Sequence, residues 1–350
     1  MKKVIVWFNH WFSTAYHIIN LLKNDDDINF FVIGTNENEN SVVREACDAW
    51  FTEPAGLSEK EYIDFCMDFC IKNMVDVFVP KRNMALICKH IHCFEEIGIK
   101  VMADHDYNII RLLQNKQSAY EFFSKSELCH IPEYRVVNNA EGFISAYRTL
   151  KTDSNRVCIK YVNDEGAASF RVIDDSIMEY GGLLRQVGLK MSYMAVVDAL
   201  SEKESFSDLM VMPYLSGTEV SVDCLNTENG LIMVPRFKSA GRTEVIKFDR
   251  DILSMCEDIY KRCNIQQPFN IQFKYHEDIP YLLEINTRMS GGIQFSCLAA
   301  QVNIPNIAVN QLIGIHKHWR ICEREQTVSF IETPMIIKNN VNEKILIGIR

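Results

Sequence analysis

Apolar and polar positions change their period along the chain. Over the first hundred residues, short apolar runs alternate with stretches in which apolar positions recur at helical spacing. The runs Lys3–Phe8, Asn29–Gly34 and Val75–Pro80, with a short one inside Gly98–Ala103, predict strands. Ser13–Leu22, Tyr62–Asn73 and Met84–Ile97 predict amphipathic helices between them. Strands rich in Val, Ile and Phe that alternate with helices argue for a parallel sheet covered by helices. The turn after the first strand, Asn9-His10-Trp11-Phe12-Ser13, has no glycine, so no dinucleotide site is assigned to this region.

Asp104–Asn108 marks a boundary, and helical patterns run on to Ser124. Ile131-Pro132 opens an extended segment before a helix at Glu141–Leu150. From Val157 the period shortens to that of hairpins. Strands are predicted at Val157–Val162, Phe170–Ile173, Leu209–Tyr214, Glu219–Leu225, Leu231–Lys238, Phe269–Tyr275 and Tyr281–Ile285. Helices at Tyr180–Leu200 and Asp249–Cys263 interrupt them, which gives an α+β pattern with mostly antiparallel sheets. After about Trp319, Thr327–Ile331 and Lys344–Ile349 are candidate edge strands. The resulting division is 1–105, 106–318 and 319–350.

The chain has 350 residues, 47% hydrophobic and 24% charged, enough for a sizeable core and about two domains. Its formal charge of −9 gives no support to general nucleic-acid binding. Twelve cysteines are scattered without a C-x-x-C pair, which favours a reducing, cytoplasmic setting. Met1–Phe8 reads as a buried strand rather than a leader, and no apolar run is long enough to span a membrane. Cys88, His92 and Cys93 resemble a metal cluster, but Cys93 leaves the helical face that the other two share, and they read as ordinary helix residues.

Several polar positions inside apolar strands carry candidate chemistry. In Tyr281–Ile285 and the residues after it, alternation puts Glu284 and Asn286 on one face, with Arg288 following. Hard oxygen donors beside a guanidinium suit a magnesium-bound phosphate, although a surface strand could carry the same residues. Gln272 joins them if its face of the preceding strand is the Glu284 face. Lys160 interrupts the strand Val157–Val162, and the small-residue loop after it could offer backbone N–H groups to phosphates. An edge-strand lysine before an ordinary turn is the alternative. Lys116 opens a helix. Leu209–Asp223 forms a hairpin around Gly217, with Glu219, Ser221 and Asp223 on one face. Backbone near Pro213 could meet an adenine edge and Glu219 a ribose, or the hairpin is simply amphipathic.

The order of these pieces resembles the ATP-grasp superfamily, most closely its carbamoyl-phosphate-synthetase-like and carboxylate–amine ligase branch. The resemblance rests on Lys116, then Lys160 and its loop, the Gly217–Glu219 hairpin, Gln272, and Glu284-x-Asn286-x-Arg288-x-Ser290-Gly291-Gly292. It covers about Asp104 to Ile315, and implies an α/β N-terminal domain followed by an α+β ATP-grasp domain whose lid subdomain is about 120–208. It implies ATP and Mg2+, with Mn2+ as a substitute, a small-molecule carboxylate and an amine as substrates, no nucleic acid or membrane, and room for a homodimer. Lys116 and Lys160 would hold phosphates under the loop containing Gly166 and Ser169. Backbone at Val211, Met212, Pro213 and Tyr214 would contact adenine and Glu219 the ribose. Glu284 and Asn286, with Gln272, would ligate magnesium, and Arg288 would stabilise phosphate charge. Arg236 and Arg242 would bind the acyl phosphate or its parent carboxylate.

The chain also departs from that pattern. Tyr161 replaces a usual proline, and the loop carries Asp164 and Glu165 where relatives have glycine and serine. Met212-Pro213 and Gln272 stand where many relatives have acidic residues. These changes bear on lid behaviour and turnover more than on ATP binding. The competing functions are a carbamoyl-phosphate-synthetase-like phosphotransferase and a non-catalytic ATP-binding module.

Overall fold

The first strand, β1 (Lys2–Asn9), shows how the first sheet is covered on both faces. In the computed structural model, which describes residues 2–163, 168–183 and 188–337, its alternating side chains enter two different cores. Val4, Val6 and Phe8 meet Ala15, Ile18, Ile19 and Leu22 of α1 (Ala15–Lys23). Trp7 goes to the other core and stacks on Phe78 at 4.1 Å. Each fully buried aliphatic side chain of this kind contributes roughly 1.5–3 kcal/mol.

β2 (Ile28–Asn36), β3 (Ala49–Thr52), α2 (Glu59–Lys72) and β4 (Val77–Val79) follow. Then come α3 (Met84–Lys89), α4 (Ile91–Glu96), β5 (Lys100–Val101) and α5 (Tyr107–Gln114). The strand order is β3-β2-β1-β4-β5, and every pairing is parallel, as the pattern predicts. Ser58 and Glu61 form a reciprocal capping box that starts α2, which buries Cys66 and Cys70 as packing residues. Two details differ from expectation. The helix predicted over Met84–Ile97 breaks at His90, whose ψ of 16° is not helical. β3 was not anticipated; it is short and enters as an edge.

α6 (Lys116–Phe123), β6 (Arg135–Val137), α7 (Ala140–Leu150) and β7 (Val157–Tyr161) open a second sheet. β8 (Arg171–Ile173), α8 (Tyr180–Leu183), β9 (Lys190–Met191), α9 (Tyr193–Ser201) and β10 (Leu209–Pro213) complete it. The order is β6-β10-β7-β8-β9, antiparallel except between β8 and β9. α7 and α9 cover one face through Phe143, Ala146, Leu150 and Val196, against Val157, Ile159 and Val211. On the other face Cys158, Met210 and Met212 pack with Tyr120 of α6. The single helix predicted over Tyr180–Leu200 is corrected. Among the described residues α8 covers Tyr180–Leu183, the chain is extended at Lys190–Met191, and a new helix starts at Tyr193 under a Ser192 cap. A left-handed Gly188 before the extended residues explains why helical periodicity is not continued.

The remaining elements are β11 (Glu219–Thr227), β12 (Gly230–Lys238), β13 (Thr243–Ile246), α10 (Arg250–Cys263), β14 (Phe269–His276) and β15 (Ile279–Asn286). α11 (Ile293–Ala300), α12 (Ile304–Leu312) and β16 (Gln326–Ser329) end the described chain. Their sheet has the order β15-β14-β11-β12-β13-β16, so β16 does add an edge strand. The strand expected at Lys344–Ile349 lies outside the described residues.

Two compact units result. The first comprises the chain up to Arg111, Val220–Gln272 and the chain from Ile285; the second comprises Leu112–Glu219 and Phe273–Glu284. No helix among the described residues is long and apolar enough to cross a membrane.

Candidate active site

In the second unit, β7 is the central strand of five, so Lys160 is not an edge lysine. Strand alternation puts it on the Cys158 face, where it is only 9% exposed. Its Nζ donates to the Tyr120 hydroxyl at 3.4 Å and lies 5.6 Å from that ring. Tyr120 in turn donates to the Leu283 carbonyl at 2.9 Å, next to Glu284. Burial lowers the Lys160 pKa, and the Glu284 carboxylate is the main charge opposing that fall. Burial pushes the neighbouring Cys158 thiol up to about 12, so it stays neutral beside the lysine.

Lys116, 7% exposed, is the first residue of α6, and its backbone N–H donates to the Val162 carbonyl. Asn115 caps that helix through the Ser118 N–H and donates to Asn163 at 3.0 Å. The start of α6 is thereby tied to the segment following β7. Ser169 Oγ accepts from the Tyr161 N–H at 2.8 Å. Gly166, Asp164 and Glu165 lie outside the described residues.

Val211 and Met212 are buried, so β10 offers its backbone rather than its side chains. Its ladder to β6 runs only from Leu209 to Val211, short of Met212, Pro213 and Tyr214. The next turn is held by Gly217, whose N–H donates to the Tyr275 carbonyl. A Cβ on Gly217 would meet that carbonyl oxygen at 2.6 Å, so the approach needs glycine. Glu219 follows at the start of β11, half-buried.

In the first unit, Arg288 donates to Asn286 Oδ1 at 3.4 Å and to the Met289 carbonyl, and lies over the Phe12 ring. Gln272 donates its amide N–H to Asn270 at 3.4 Å, which leaves its oxygen as an acceptor. Gln272 and Asn286 thus supply hard amide oxygens within this unit, a donor type that magnesium accepts.

Arg236 is 2% exposed and its donors are largely committed. Nε donates to Asp223 at 3.0 Å, Nη2 to Ser221 and Ser290 at 3.0 Å each, and Nη1 to Glu244. Asp223 also accepts from Asn270 and Ser296. Burial would lower the arginine's pKa, but Asp223 and Glu244 outweigh it and raise it. The fit extends to Gly292, where a Cβ would lie 2.3 Å from Nη1. Arg242, by contrast, has a side chain 63% exposed, pairs with Glu332 and lies over Phe330. A cavity of about 930 Å3 opens beside this cluster, lined by Arg236, Lys238, Glu244 and Gln272 as well as by Phe295 and Phe330.

Sequence reasoning noted Ser221 and Asp223 only as a polar face, and missed Asn270 and Glu244 as partners of Arg236. It also missed a network at the carboxyl ends of the parallel strands. There the buried Glu53 accepts from Tyr62 at 2.9 Å and Thr35 at 2.8 Å and pairs with Arg82, while Asn9 donates to Tyr62. In the Cys88–Cys93 segment, Cys88 donates to the Asp104 carbonyl and His92 pairs with Glu95.

Residues 205–334 match the family model described as "ATP-grasp in the biosynthetic pathway with Ter operon". The carbamoyl phosphate synthase large chain of Saccharolobus islandicus is 30% identical over 291 residues, covering 77% of this chain and 27% of the relative. The chain thus spans about a quarter of the length of that curated relative. Among solved structures, Staphylococcus aureus N5-carboxyaminoimidazole synthetase with ADP matches with a TM-score of 0.65 at 12% identity, covering 93% of this chain and 82% of that one. The biotin carboxylase domain of Hydrogenobacter thermophilus 2-oxoglutarate carboxylase matches with a TM-score of 0.63 at 15% identity, covering 91% and 71%. At such identities these last two speak for the fold alone. Sequence and fold together place the chain in the ATP-grasp superfamily. The α/β start followed by mixed and antiparallel sheets is the arrangement expected from the resemblance.

Proposed function

We propose that the chain is an ATP-dependent ligase that activates a small-molecule carboxylate as an acyl phosphate for attack by an amine. The observation that carries this reading is the pair of lysines at 7% and 9% exposure, one of them electrostatically matched to Glu284. Enclosed ammonium groups suit a polyanionic ligand, and ATP is such a polyanion.

In this reading a carboxylate oxygen attacks the γ-phosphorus, the bond to the bridging oxygen breaks, and ADP leaves. The amine lone pair then attacks the acyl carbon, the carbon–oxygen bond breaks, and phosphate leaves while the amine gives a proton to solvent. Lys116 and Lys160 neutralise phosphate charge, and Arg288 does so at the transferring group. Backbone beyond Val211 receives adenine, and Glu219 the ribose hydroxyls. Glu284, Asn286 and Gln272 would hold magnesium, or manganese in its place, which screens the triphosphate. Positioning and charge stabilisation supply most of the rate. A cytoplasmic setting fits this chemistry.

The 30% identity to a carbamoyl phosphate synthase large chain favours one further reading, phosphoryl transfer without an amine acceptor. Pools of carboxylates, each with and without an amine pool, separate the two. ADP and phosphate release with a condensed product found by mass spectrometry supports the ligase. A phosphorylated product released equally well without any amine supports the phosphotransferase.

A further inference from the structure

The cavity of about 930 Å3 lies wholly in the first unit and has a definite chemical character. Arg236, the natural partner for a carboxylate, donates through Nε, Nη1 and both bonds of Nη2 to groups of the protein itself. The cavity lining instead presents acceptors. Glu244 reaches it from β13 with a side chain 14% exposed. Gln294 lines it too, and its Oε1 is buried with no hydrogen-bond partner among the described residues. A buried acceptor without a donor is costly, and a ligand N–H would satisfy it. Lys238 stands opposite Glu244 in the β12–β13 register and also lines the cavity, so both charge signs occur side by side. Part of the remaining wall is apolar: the Phe295 and Phe330 rings are 5.8 Å apart, with Val42, Pro334 and Met335 nearby, while Ser13, Thr14 and His17 add polar groups.

An ammonium acceptor, a neighbouring cation and an apolar wall match the three parts of one kind of molecule. We propose that this cavity binds an α-amino acid with an apolar side chain. Glu244 and Gln294 take its ammonium, Lys238 faces its carboxylate, and the Phe295–Phe330 wall takes its side chain. This rests on the ligase reading and names the carboxylate substrate within it. The volume is within the usual range for small-molecule sites.

The test uses the full chain with ATP, magnesium and hydroxylamine, a nucleophile that converts an acyl phosphate to a hydroxamate. Phenylalanine and leucine are compared with 3-phenylpropionate and 4-methylpentanoate, which keep the side chain and carboxylate but lack the ammonium. Wild type should favour the amino acids by about tenfold to a hundredfold in kcat/KM, the scale of a charged hydrogen bond. Glu244→Gln should raise KM for phenylalanine and shrink that preference, with KM for ATP unchanged, and Glu244→Asp should partly restore it. Because Glu244 also supports Arg236, the exposed Phe330→Ala provides a second variant. It should raise KM for phenylalanine far more than for alanine. Equal use of phenylalanine and 3-phenylpropionate would overturn the substrate class while leaving the ligase reading intact. Hydroxamate formation only from other carboxylates would do the same. No ADP from any carboxylate in a broad panel would sink the ligase reading, and this assignment with it.

Discussion

Lys160 and Arg236 are both buried cations, yet they are held in opposite ways. Lys160 has a hydroxyl and an aromatic ring close by and a lowered pKa, which suits a group waiting for phosphate charge. Arg236 is enclosed by two carboxylates and two serine hydroxyls, which suits a fixed support. Gly292→Ala tests that support. The far end of an arginine normally moves aside cheaply, but this one is hydrogen-bonded at every nitrogen. The added methyl should therefore cost about 1–3 kcal/mol, the usual penalty for overpacking. Urea denaturation measures it, and a midpoint equal to wild type would show that the guanidinium is loosely held. Lys160, Glu284 and Asn286 were legible in the sequence because each breaks an apolar strand locally. The commitment of Arg236 was not, because its partners come from β11, β13 and the turn after Arg288.

Among the elements, α1 and α12 are joined by a buried polar contact rather than by apolar packing alone. Asp25, just after α1, accepts from Asn306 at 2.9 Å and Asn310 at 3.0 Å on α12, and from Lys317 beyond it. Burial opposes its ionisation, but the amides of Asn306 and Asn310 and the backbone N–H groups of Asp27 and Ile28 outweigh that. The carboxyl is held well below the usual carboxylate range. A depressed folded pKa gives stability that is fully present above the unfolded value near ~3.9 and is lost as pH falls through the folded value. Asp25→Asn should remove that loss, so denaturation midpoints measured on going from neutral to acid pH should fall less steeply than in wild type. An unchanged acid slope would contradict the assignment. Helical and strand periods were readable wherever one face meets a core, as in α1, α7 and β7. They failed at Tyr180–Leu200, where a left-handed Gly188 overrides apolar spacing, and at β3, whose four residues are too few to show a period.

At the scale of the whole molecule the chain crosses between its two units inside secondary structure. The breaks fall within α5, after Arg111, at the start of β11, after Glu219, within β14, after Gln272, and within β15, after Glu284. A linear reading of residues 1–105, 106–318 and 319–350 has no means of expressing this, because hairpin patterning is local and unit membership is decided by distant packing. The order of motifs was nevertheless readable, since a series of short strands and polar positions survives in one dimension. The functional account therefore depends most on Glu284, which the strand pattern, the electrostatics of Lys160 and the resemblance all single out. The most direct measurement is ADP release by wild type and Glu284→Gln, with a responsive carboxylate and amine and with melting temperatures recorded alongside. The account predicts a loss of about a hundredfold or more in turnover with the fold intact, the scale of removing a group that stabilises transition-state charge. Undiminished ADP release by Glu284→Gln would contradict it.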